Sequence, residues 1–247
     1  MLLKVIWSAL RLVLTSFVVL GLGYNLLIVG IGQAIFPSQA NGSLIRYDGR
    51  VVGSRLIGQQ FTSARFFEGR PSATSPPYNA ASSAASNYGP TNPALLREIR
   101  NNLAAVLREN PGVKASQVPP DLVESSGSGL DPDISPAAAY IQVPRVAKAN
   151  HLPVSTVRTL VANHVTGRFL GIYGAPHVNV LELNLALLVS CNRETLTVGA
   201  SKDLLGRLDP DEGSAILVPS VEESHDRLFE RSHAFEHTTL NCAPVEQ

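Results

Sequence analysis

Two serines, an aspartate and a histidine are the residues of this 247-residue chain whose types could support catalysis. Ser126 and Ser128 alternate with glycines, Asp131 follows them, and His164 comes later. A serine activated by a histidine, which an acidic residue orients, is the nucleophile of many hydrolases. The spacing argues against this chemistry, because the hydrolase turn requires the pattern G-x-S-x-G and neither serine fits it. We therefore predict no catalytic residues.

Patterns for nucleotide and metal binding are also weak. The sequence has no G-x-x-x-x-G-K-[ST] motif, and no G-x-G-x-x-G lies between a predicted strand and helix. Asp131 and Asp133 could bind a cation, but they stand in a proline-rich turn, where turn and capping roles are more typical. His225, His233 and His237 include one pair with the i, i+4 spacing of helical metal ligands, but they lie in a polar tail. We predict no metal site and no directly bound cofactor.

The glycine-rich segment around the serines predicts a shaped loop. Gly127 and Gly129 allow backbone angles closed to other residues, whereas Pro132 restricts its own. Ser135 and Pro136 then form the pattern of a helix N-cap followed by proline at the first helical position. The loop is therefore expected to lead directly into a helix.

Other elements can be predicted from caps and periodicity. Asn92 and Pro93 open a helix that runs to about Glu109 and is stopped by Pro111-Gly112. Its apolar stripe consists of Leu95, Leu96, Ile99, Leu103, Val106 and Leu107. Short strands punctuated by glycines are predicted at Val51-Val52 and Leu56-Ile57.

Three further apolar segments follow the glycine-rich loop. The helix that begins at Ser135 is expected to kink or end at Pro144, since proline lacks the backbone N–H that helix interiors require. Pro153 begins another helix, with Val157, Leu160, Val161 and His164 along one side. The apolar run 180–189 is either a helix or a buried strand, because periodicity does not separate the two in short runs.

The N-terminal segment predicts a membrane anchor. Residues 12–32 carry no charge, and a helix needs roughly 20 residues to span a bilayer. A cleaved signal peptide is the competing interpretation, but its apolar core is about 7 to 15 residues long and ends in a small-residue cleavage site that is not evident here. Lys4 and Arg11 precede the run, which favours a cytoplasmic N-terminus and an extracytoplasmic domain.

Charge divides the remainder of the chain. Lys+Arg and Asp+Glu balance at 20 each, but residues 199–247 hold 4 of the basic and 10 of the acidic residues. No basic surface interleaved with aromatic residues is evident, which argues against nucleic acid binding. The predicted fold is a single soluble domain of mixed α/β (α+β) class behind one transmembrane helix. The segments are a cytoplasmic N-terminus 1–11, a transmembrane helix 12–32, an extracytoplasmic domain 33–197 and an acidic tail 198–247.

Cys191 and Cys242 are the two cysteines of the chain. They are too few for a disulfide scaffold and lack the spacing of metal ligands. A disulfide between them and two separate thiols are both compatible with the sequence.

Several blocks of sequence occur together in one order. They are FPSQANGSL (36–44), GSRLIGQ (53–59), GRPSA (69–73), SNYGPTNP (86–93), SGSGLDPDISPAAAY (126–140) continuing to RVA (145–147), and VNVL (178–181) with LNLAL (183–187). Together they resemble the KdpC subunit of bacterial Kdp potassium-transporting ATPases, over roughly Leu10 to Leu188. Each block alone is weak evidence, whereas the ordered set is specific.

The resemblance implies a non-catalytic accessory subunit of a high-affinity potassium pump in the bacterial inner membrane. In that family a P-type ATPase subunit hydrolyses ATP, a channel-like subunit carries potassium, and this subunit assists assembly and is described as raising the ATP affinity of the pump subunit. The implied partners are those two subunits and membrane lipid. Because the domain is predicted to lie outside the cytoplasm, any effect on ATP is expected to pass through the complex.

Seven positions within these blocks are predicted to shape loops or meet a partner: Gly69, Arg70, Pro71, Asn87, Asn92, Ser128 and Gly129. Arg70 offers five donors in a planar fork, which suits either role. Two other functions stay open. One is a membrane-tethered extracytoplasmic serine hydrolase using Ser128 or Ser126 with His164, and the other is a scaffold or lipid-sensing protein that acts alone.

Overall fold

The computed structural model describes residues 1–191. The predicted tail 198–247, Cys242 and the three histidines of the tail lie outside the described residues. Contacts divide the chain into two compact units, Met1–Leu56 and a second unit that begins at Ile57. Each unit is described by itself.

The first unit begins with a long apolar helix, α1, at Leu2–Ile35. Its central part, Phe17–Tyr24, is π-helical, and the Asn25 side chain donates a 2.5 Å hydrogen bond to the Gly21 carbonyl within it. Among the described residues, α1 is the one helix long and apolar enough to cross a membrane. The predicted span 12–32 lies inside it. A short helix, α2 (Pro37–Ala40), follows.

A β-hairpin completes the first unit, with β1 at Leu44–Tyr47 and β2 at Arg50–Ser54. Asp48 and Gly49 have φ angles of 51° and 76°, the left-handed conformation that a two-residue hairpin turn requires. The prediction of a strand at Val51-Val52 is confirmed, whereas that at Leu56-Ile57 is wrong. The Ser54 hydroxyl accepts a 3.1 Å hydrogen bond from the Leu56 amide and so turns the chain away from the ladder.

The second unit contains the predicted helix α3 at Pro93–Glu109. The Asn92 side chain accepts a 2.9 Å hydrogen bond from the Ala94 amide, which satisfies one of the open donors of the first turn. No residue of α3 is fully buried, so its apolar stripe is only partly covered within the described chain. Two short 3₁₀ turns follow, at Ala115–Gln117 and Pro120–Leu122.

Helix α4 spans Pro136–Ala149, and the Ser135 hydroxyl caps it by accepting a 3.1 Å hydrogen bond from the Ala138 amide. Of the two outcomes expected at Pro144, an end or a kink, the end does not occur, because α4 continues to Ala149. Pro144 lies on the exposed side, while Val143 and Val146 are buried on the other. Burial of apolar side chains on both sides of the proline offsets the loss of one backbone hydrogen bond.

Helix α5 spans Val154–Asn163, and helix α6 spans Val180–Cys191. The run that could be either a helix or a strand is therefore helical. The core is formed mainly by aliphatic side chains of α4, α5 and α6, namely Ala138, Val143, Val146, Val157, Val161, Leu181, Leu183 and Leu187.

A three-stranded antiparallel sheet with strand order β3-β5-β4 contacts α4 through β5. The strands are β3 (Asp133–Ile134), β4 (Val165–Thr166) and β5 (His177–Asn179). Ile134 pairs with Val178 on one side, and Val165 pairs with Val178 on the other. Strands of two or three residues are too short to show alternation, and none was predicted. The fold confirms the predicted mixed α/β class.

Candidate functional site

An open cleft of about 310 Å³ lies on the second unit. The segment 68–72 forms one wall and α3 forms another. The lining residues used below are Phe61, Glu68, Gly69, Arg70, Tyr78 and Glu109. The cleft thus combines apolar walls with two carboxyl groups, a guanidinium group and a phenol.

Arg70 connects the cleft with the glycine-rich loop. Its Nη1 donates a 3.1 Å hydrogen bond to Oδ2 of Asp131, and both side chains are about one quarter exposed. Its Nη2 donates to the carbonyls of Glu124 and Ser125 at 3.3 and 3.4 Å. The planar guanidinium therefore joins three points of the 124–131 segment, which a lysine could not do in the same geometry.

Tyr78 contacts the segment 68–72 of the cleft wall. Its hydroxyl donates a 2.5 Å hydrogen bond to the Arg70 carbonyl. Burial and the nearby Asp131 carboxylate raise the pKa of Tyr78, so the phenol keeps its proton and remains a donor. A Cβ atom at Gly69 would lie 2.6 Å from the Tyr78 oxygen, so a larger residue at this position would displace the Tyr78 hydroxyl.

Two hydroxyl groups hold the segment 72–79 in place. Ser72 Oγ donates a 2.7 Å hydrogen bond to the Gly129 carbonyl and accepts one of 2.9 Å from the Tyr78 amide. Thr74 Oγ1 accepts a 3.0 Å hydrogen bond from the Asn79 amide. Hydrogen bonds from these two side chains therefore fix the backbone of the segment 72–79.

Gly129 lies where three parts of the chain meet. It has a φ of 68°, and a Cβ there would lie 2.7 Å from the Ala84 carbonyl and 2.8 Å from Thr74 Cγ2. Its neighbour Ser128 accepts through its carbonyl from the Ala84 amide at 3.1 Å and from the Ser83 hydroxyl at 2.9 Å. Backbone conformation and lack of space both require glycine at position 129.

A second polar cluster, around Glu68, was not anticipated. Arg145 Nη2 lies 3.4 Å from Glu68 Oε1 and donates a 2.7 Å hydrogen bond to Gln142 Oε1. Burial raises the pKa of Glu68 to about 7; the Arg145 guanidinium opposes this rise and the Glu109 carboxyl adds to it. Glu68 therefore titrates near neutral pH.

Asn184 and Gln142 attach the chain before the cleft to the helices. Asn184 Oδ1 accepts a 2.8 Å hydrogen bond from the Phe67 amide, and its Nδ2 donates one of 2.9 Å to the Phe67 carbonyl. The Gln142 side chain pairs in the same way with the backbone of Glu68, at 2.8 and 3.1 Å. Each amide side chain thus makes the pair of backbone hydrogen bonds that a neighbouring strand would otherwise make. Asn184 lies in the LNLAL block. The only sign of its role in the sequence was the presence of an asparagine within an apolar run.

The seven predicted positions are distributed unevenly. Gly69, Arg70 and Pro71 line the cleft, and Arg70 contacts the loop that contains Ser128 and Gly129. Asn92 lies at the start of α3 as its cap, and Asn87 is exposed, with a φ of 53° and a 3.3 Å hydrogen bond to the Ala85 carbonyl. The structure brings five of the seven together, and their roles at an interface or in loop shape stay predictions.

The hydroxyl groups of the two serines considered for catalysis bind backbone amides of their own loop. Ser126 Oγ accepts a 2.9 Å hydrogen bond from the Gly129 amide, and Ser128 Oγ accepts one of 3.1 Å from the Leu130 amide. His164 Nδ1 lies 2.8 Å from the carbonyl of Leu160, one turn earlier in its own helix. Within residues 1–191 no hydrogen bond joins either serine to His164, so this geometry gives a serine hydrolase no support.

Metal binding was considered for the same segment. Asp131 pairs with Arg70, and Asp133 Oδ1 accepts a 3.0 Å hydrogen bond from the Asn179 side chain. In the described part of the chain, no three His, Cys, Asp or Glu residues are grouped as metal ligands. Cys191 is buried, with its Sγ 3.8 Å from Asn150 Oδ1.

The fold defines a class of protein. A long apolar helix at the N-terminus, followed by a mixed α/β domain, fits a single-pass membrane protein. Sequence comparison then identifies the family. The chain belongs to the KdpC family, described as "K+-transporting ATPase, c chain", whose family model matches residues 6–188. The resemblance inferred from the ordered blocks is thereby confirmed.

Curated relatives are described as KdpC subunits, and the similarity extends over most of their length. The chain is 53% identical to a potassium-transporting ATPase KdpC subunit from Caldanaerobacter subterraneus, over 72% of this chain and 92% of that protein. It is 52% identical to the KdpC subunit of Methylorubrum extorquens, over 72% of this chain and 94% of the other. The subunit of Paraburkholderia phytofirmans is 57% identical, over 68% and 88%.

Proposed function

We propose that this chain is a non-catalytic accessory subunit of a high-affinity, ATP-driven potassium uptake pump. The observation that carries the proposal is the KdpC family match over residues 6–188, which includes most of the apolar helix and all of the clustered loops. The geometry of the cleft supports it, because Arg70, Tyr78 and Ser72 each donate a hydrogen bond to a backbone carbonyl of the same domain. The chain assists assembly of the pump.

The proposed partners are a channel-like subunit that carries potassium and a P-type ATPase subunit that hydrolyses ATP. Helix α1 crosses the bilayer, with the N-terminus in the cytoplasm and the domain outside. The chain raises the ATP affinity of the pump subunit through the complex, since a domain outside the membrane has no access to cytoplasmic ATP. Such coupling requires the chain to contact two states of the pump differently.

Co-purification tests the proposal. The tagged full chain is expressed with the other proteins of its pump in a strain that lacks its own high-affinity potassium uptake. We expect a stable complex, growth at micromolar potassium, and a higher KM for ATP in complexes prepared without the chain. Absence of the chain from the purified pump would reject the proposal. Labelling by a serine-reactive probe that Ser128→Ala abolishes would favour the hydrolase instead.

Orientation is tested separately with a thiol reagent that does not cross membranes. Cys242 is expected to react in intact spheroplasts, because the proposed topology places the C-terminal segment outside the cytoplasm. A control chain with Cys242→Ser measures the reaction of the buried Cys191. Labelling of Cys242 only after the cells are broken open would reverse the proposed orientation.

A further inference from the structure

Helix α3 presents a row of arginines to solvent. All of its exposed charged residues are basic, and we name them the arginine row: Arg97, Arg100 and Arg108. Glu98 and Glu109 are half-buried and lie away from this row on the helix surface. Arg108 Nη2 lies 3.9 Å from Glu109 Oε1, and within residues 1–191 no ion pair engages Arg97 or Arg100. The described chain therefore leaves most of this positive charge without a negative partner.

The apolar stripe of α3 lies beside the arginine row. Helix α4 buries six residues, whereas α3 buries none, and Leu96 of the stripe is 45% exposed. Leu96, Leu103 and Leu107 are neighbours of Arg100 on the helix surface, because they are three, four or seven positions from it. A segment that covered the stripe would therefore also reach the arginine row. Such a face is complementary to a segment that is both apolar and acidic.

The C-terminal tail of this chain contains a segment of that composition. Residues 209–226, which we name the tail segment, hold six acidic residues and neither lysine nor arginine. Three of the six precede the apolar run 215–218 and three follow it, namely Asp209, Asp211, Glu212, Glu222, Glu223 and Asp226. The family model matches residues 6–188, so the tail segment lies in a part of the chain that the family does not describe. Its apolar centre and acidic flanks match the apolar stripe and the arginine row.

The tail segment is long enough in reach to contact α3. Roughly 18 residues separate it from Cys191, where α6 ends, and an extended chain of that length spans about 60 Å. A domain of about 135 residues is only roughly 37 Å across. Covalent attachment also keeps the segment at an effective concentration in the millimolar range. Weak surface ion pairs and a short apolar contact are then sufficient for docking.

We propose that the tail segment docks on α3 of its own chain. The apolar run 215–218 covers the apolar stripe, and the acidic residues on either side of the run face the arginine row. The contact is intramolecular and does not depend on the proposed function. The distance over which salt screens charges falls from about 10 Å at 0.1 M to about 3 Å at 1 M, so the docking weakens as the salt concentration rises. The tail segment is thus a salt-sensitive cover for α3.

Thiol crosslinking in the purified full chain tests the contact. Cysteines replace Ala104, which is exposed on α3 between Arg100 and Arg108, and Ser220, which follows the apolar run. The chain also carries Cys242→Ser, and the remaining Cys191 is buried. The control pair joins Ser220→Cys to Val154→Cys, at a position that is 50% exposed on α5.

We expect a short bifunctional thiol reagent to join positions 104 and 220 in at least tenfold higher yield than positions 154 and 220. In 1 M salt the yield of the 104–220 crosslink should fall at least fivefold. Equal yields for the two pairs would overturn the inference. Crosslinks that join two differently tagged chains would also overturn it, because they would place the tail segment on a second copy.

Neutralisation of the arginine row gives an independent measurement. One triple variant of the crosslinking chain removes the row: Arg97→Gln, Arg100→Gln and Arg108→Gln. A control triple variant removes three exposed basic residues outside α3: Lys148→Gln, Arg158→Gln and Arg168→Gln. All six side chains are exposed, so both variants are expected to melt like the parent chain.

The yield of the 104–220 crosslink should fall at least fivefold when the arginine row is removed and stay unchanged in the control variant. Both variants lose the same net charge, so the comparison separates contact with α3 from general attraction to a basic domain. An equal fall in both, or no fall in either, would overturn the inference.

Discussion

Arg70 and Asp131, 61 positions apart in the sequence, form an ion pair with a 3.1 Å distance between Nη1 and Oδ2. The pair joins the Gly-Arg-Pro block to the glycine-rich loop that precedes α4. The same guanidinium donates to two backbone carbonyls of that loop, so one side chain fixes the position of an entire segment. The loop first considered for catalysis is thus held by an arginine from the cleft.

Replacement of Arg70 by lysine is expected to destabilise the domain. Lysine keeps the charge but loses the fork that reaches Asp131 and both carbonyls. Hydrogen bonds to charged groups contribute about 1.5–3 kcal/mol, and partial exposure of the pair reduces this to about 1–2 kcal/mol. Thermal unfolding of the full chain in detergent measures the loss. Arg108→Lys is the control, since that side chain is 76% exposed, and an equal loss in both would contradict the role of Arg70.

Gly129→Ala is expected to destabilise the domain strongly, while Gly127→Ala has little effect. A methyl group at position 129 would clash with the Ala84 carbonyl and require a φ of 68°, whereas no atom lies within 4 Å of the Cβ position at Gly127. Strain and overpacking together amount to about 2–4 kcal/mol. Melting temperatures of the two variants provide the comparison, and similar values would show that the loop yields to accommodate the methyl group.

The substitution Asn184→Leu removes the side-chain amide of Asn184 and is expected to lower the free energy of unfolding by about 2–4 kcal/mol. Leucine has a similar volume but leaves the amide and carbonyl of the buried Phe67 without partners. Urea denaturation of the domain in the full chain measures the change. Asn101→Leu, at an exposed position of α3, is expected to stay within about 0.5 kcal/mol of the parent. A neutral Asn184→Leu would mean that Phe67 finds other partners.

Glu68 is expected to make stability depend on pH between about 4.5 and 7. Burial raises its pKa from 4.5 to about 7 in the folded chain, so the folded state holds the proton more tightly than the unfolded state. Its contribution is therefore fully present below pH 4.5 and is lost as the pH rises through 7.

The variant Glu68→Gln isolates this dependence, because glutamine does not titrate. Relative to the parent chain, it should gain about 2 kcal/mol between pH 4.5 and 7.5, since the side chain is 29% exposed and the full shift is not realised. Unfolding curves at several pH values measure the difference. Glu98→Gln, on α3, is the control. If the difference in unfolding free energy between Glu68→Gln and the parent chain does not change with pH, the raised pKa of Glu68 is contradicted.

Local signals in the sequence were sufficient for several elements. Asn92 and Ser135 each precede a proline and cap a helix, as predicted, because a cap depends on residues two or three positions away. The hairpin turn at Asp48-Gly49 also depends on neighbouring residues, but it was not predicted. A strand was predicted at Leu56-Ile57, whereas the partner strand of the hairpin is Leu44–Tyr47. Pro144 shows the limit of such signals, since packing of α4 overrides a residue that usually ends a helix.

By itself, the sequence determined the apolar helix, the caps, the mixed α/β class and the family, because each depends on composition or on the order of short blocks. Tertiary structure alone decided which residues meet. Arg70 reaches Asp131 across 61 positions, and Asn184 reaches Phe67 across 117. The space that excludes a side chain at Gly129 is likewise formed by Thr74 and Ala84. Partners separated by such distances in the chain are set by the packing of the whole domain, and no local pattern encodes them.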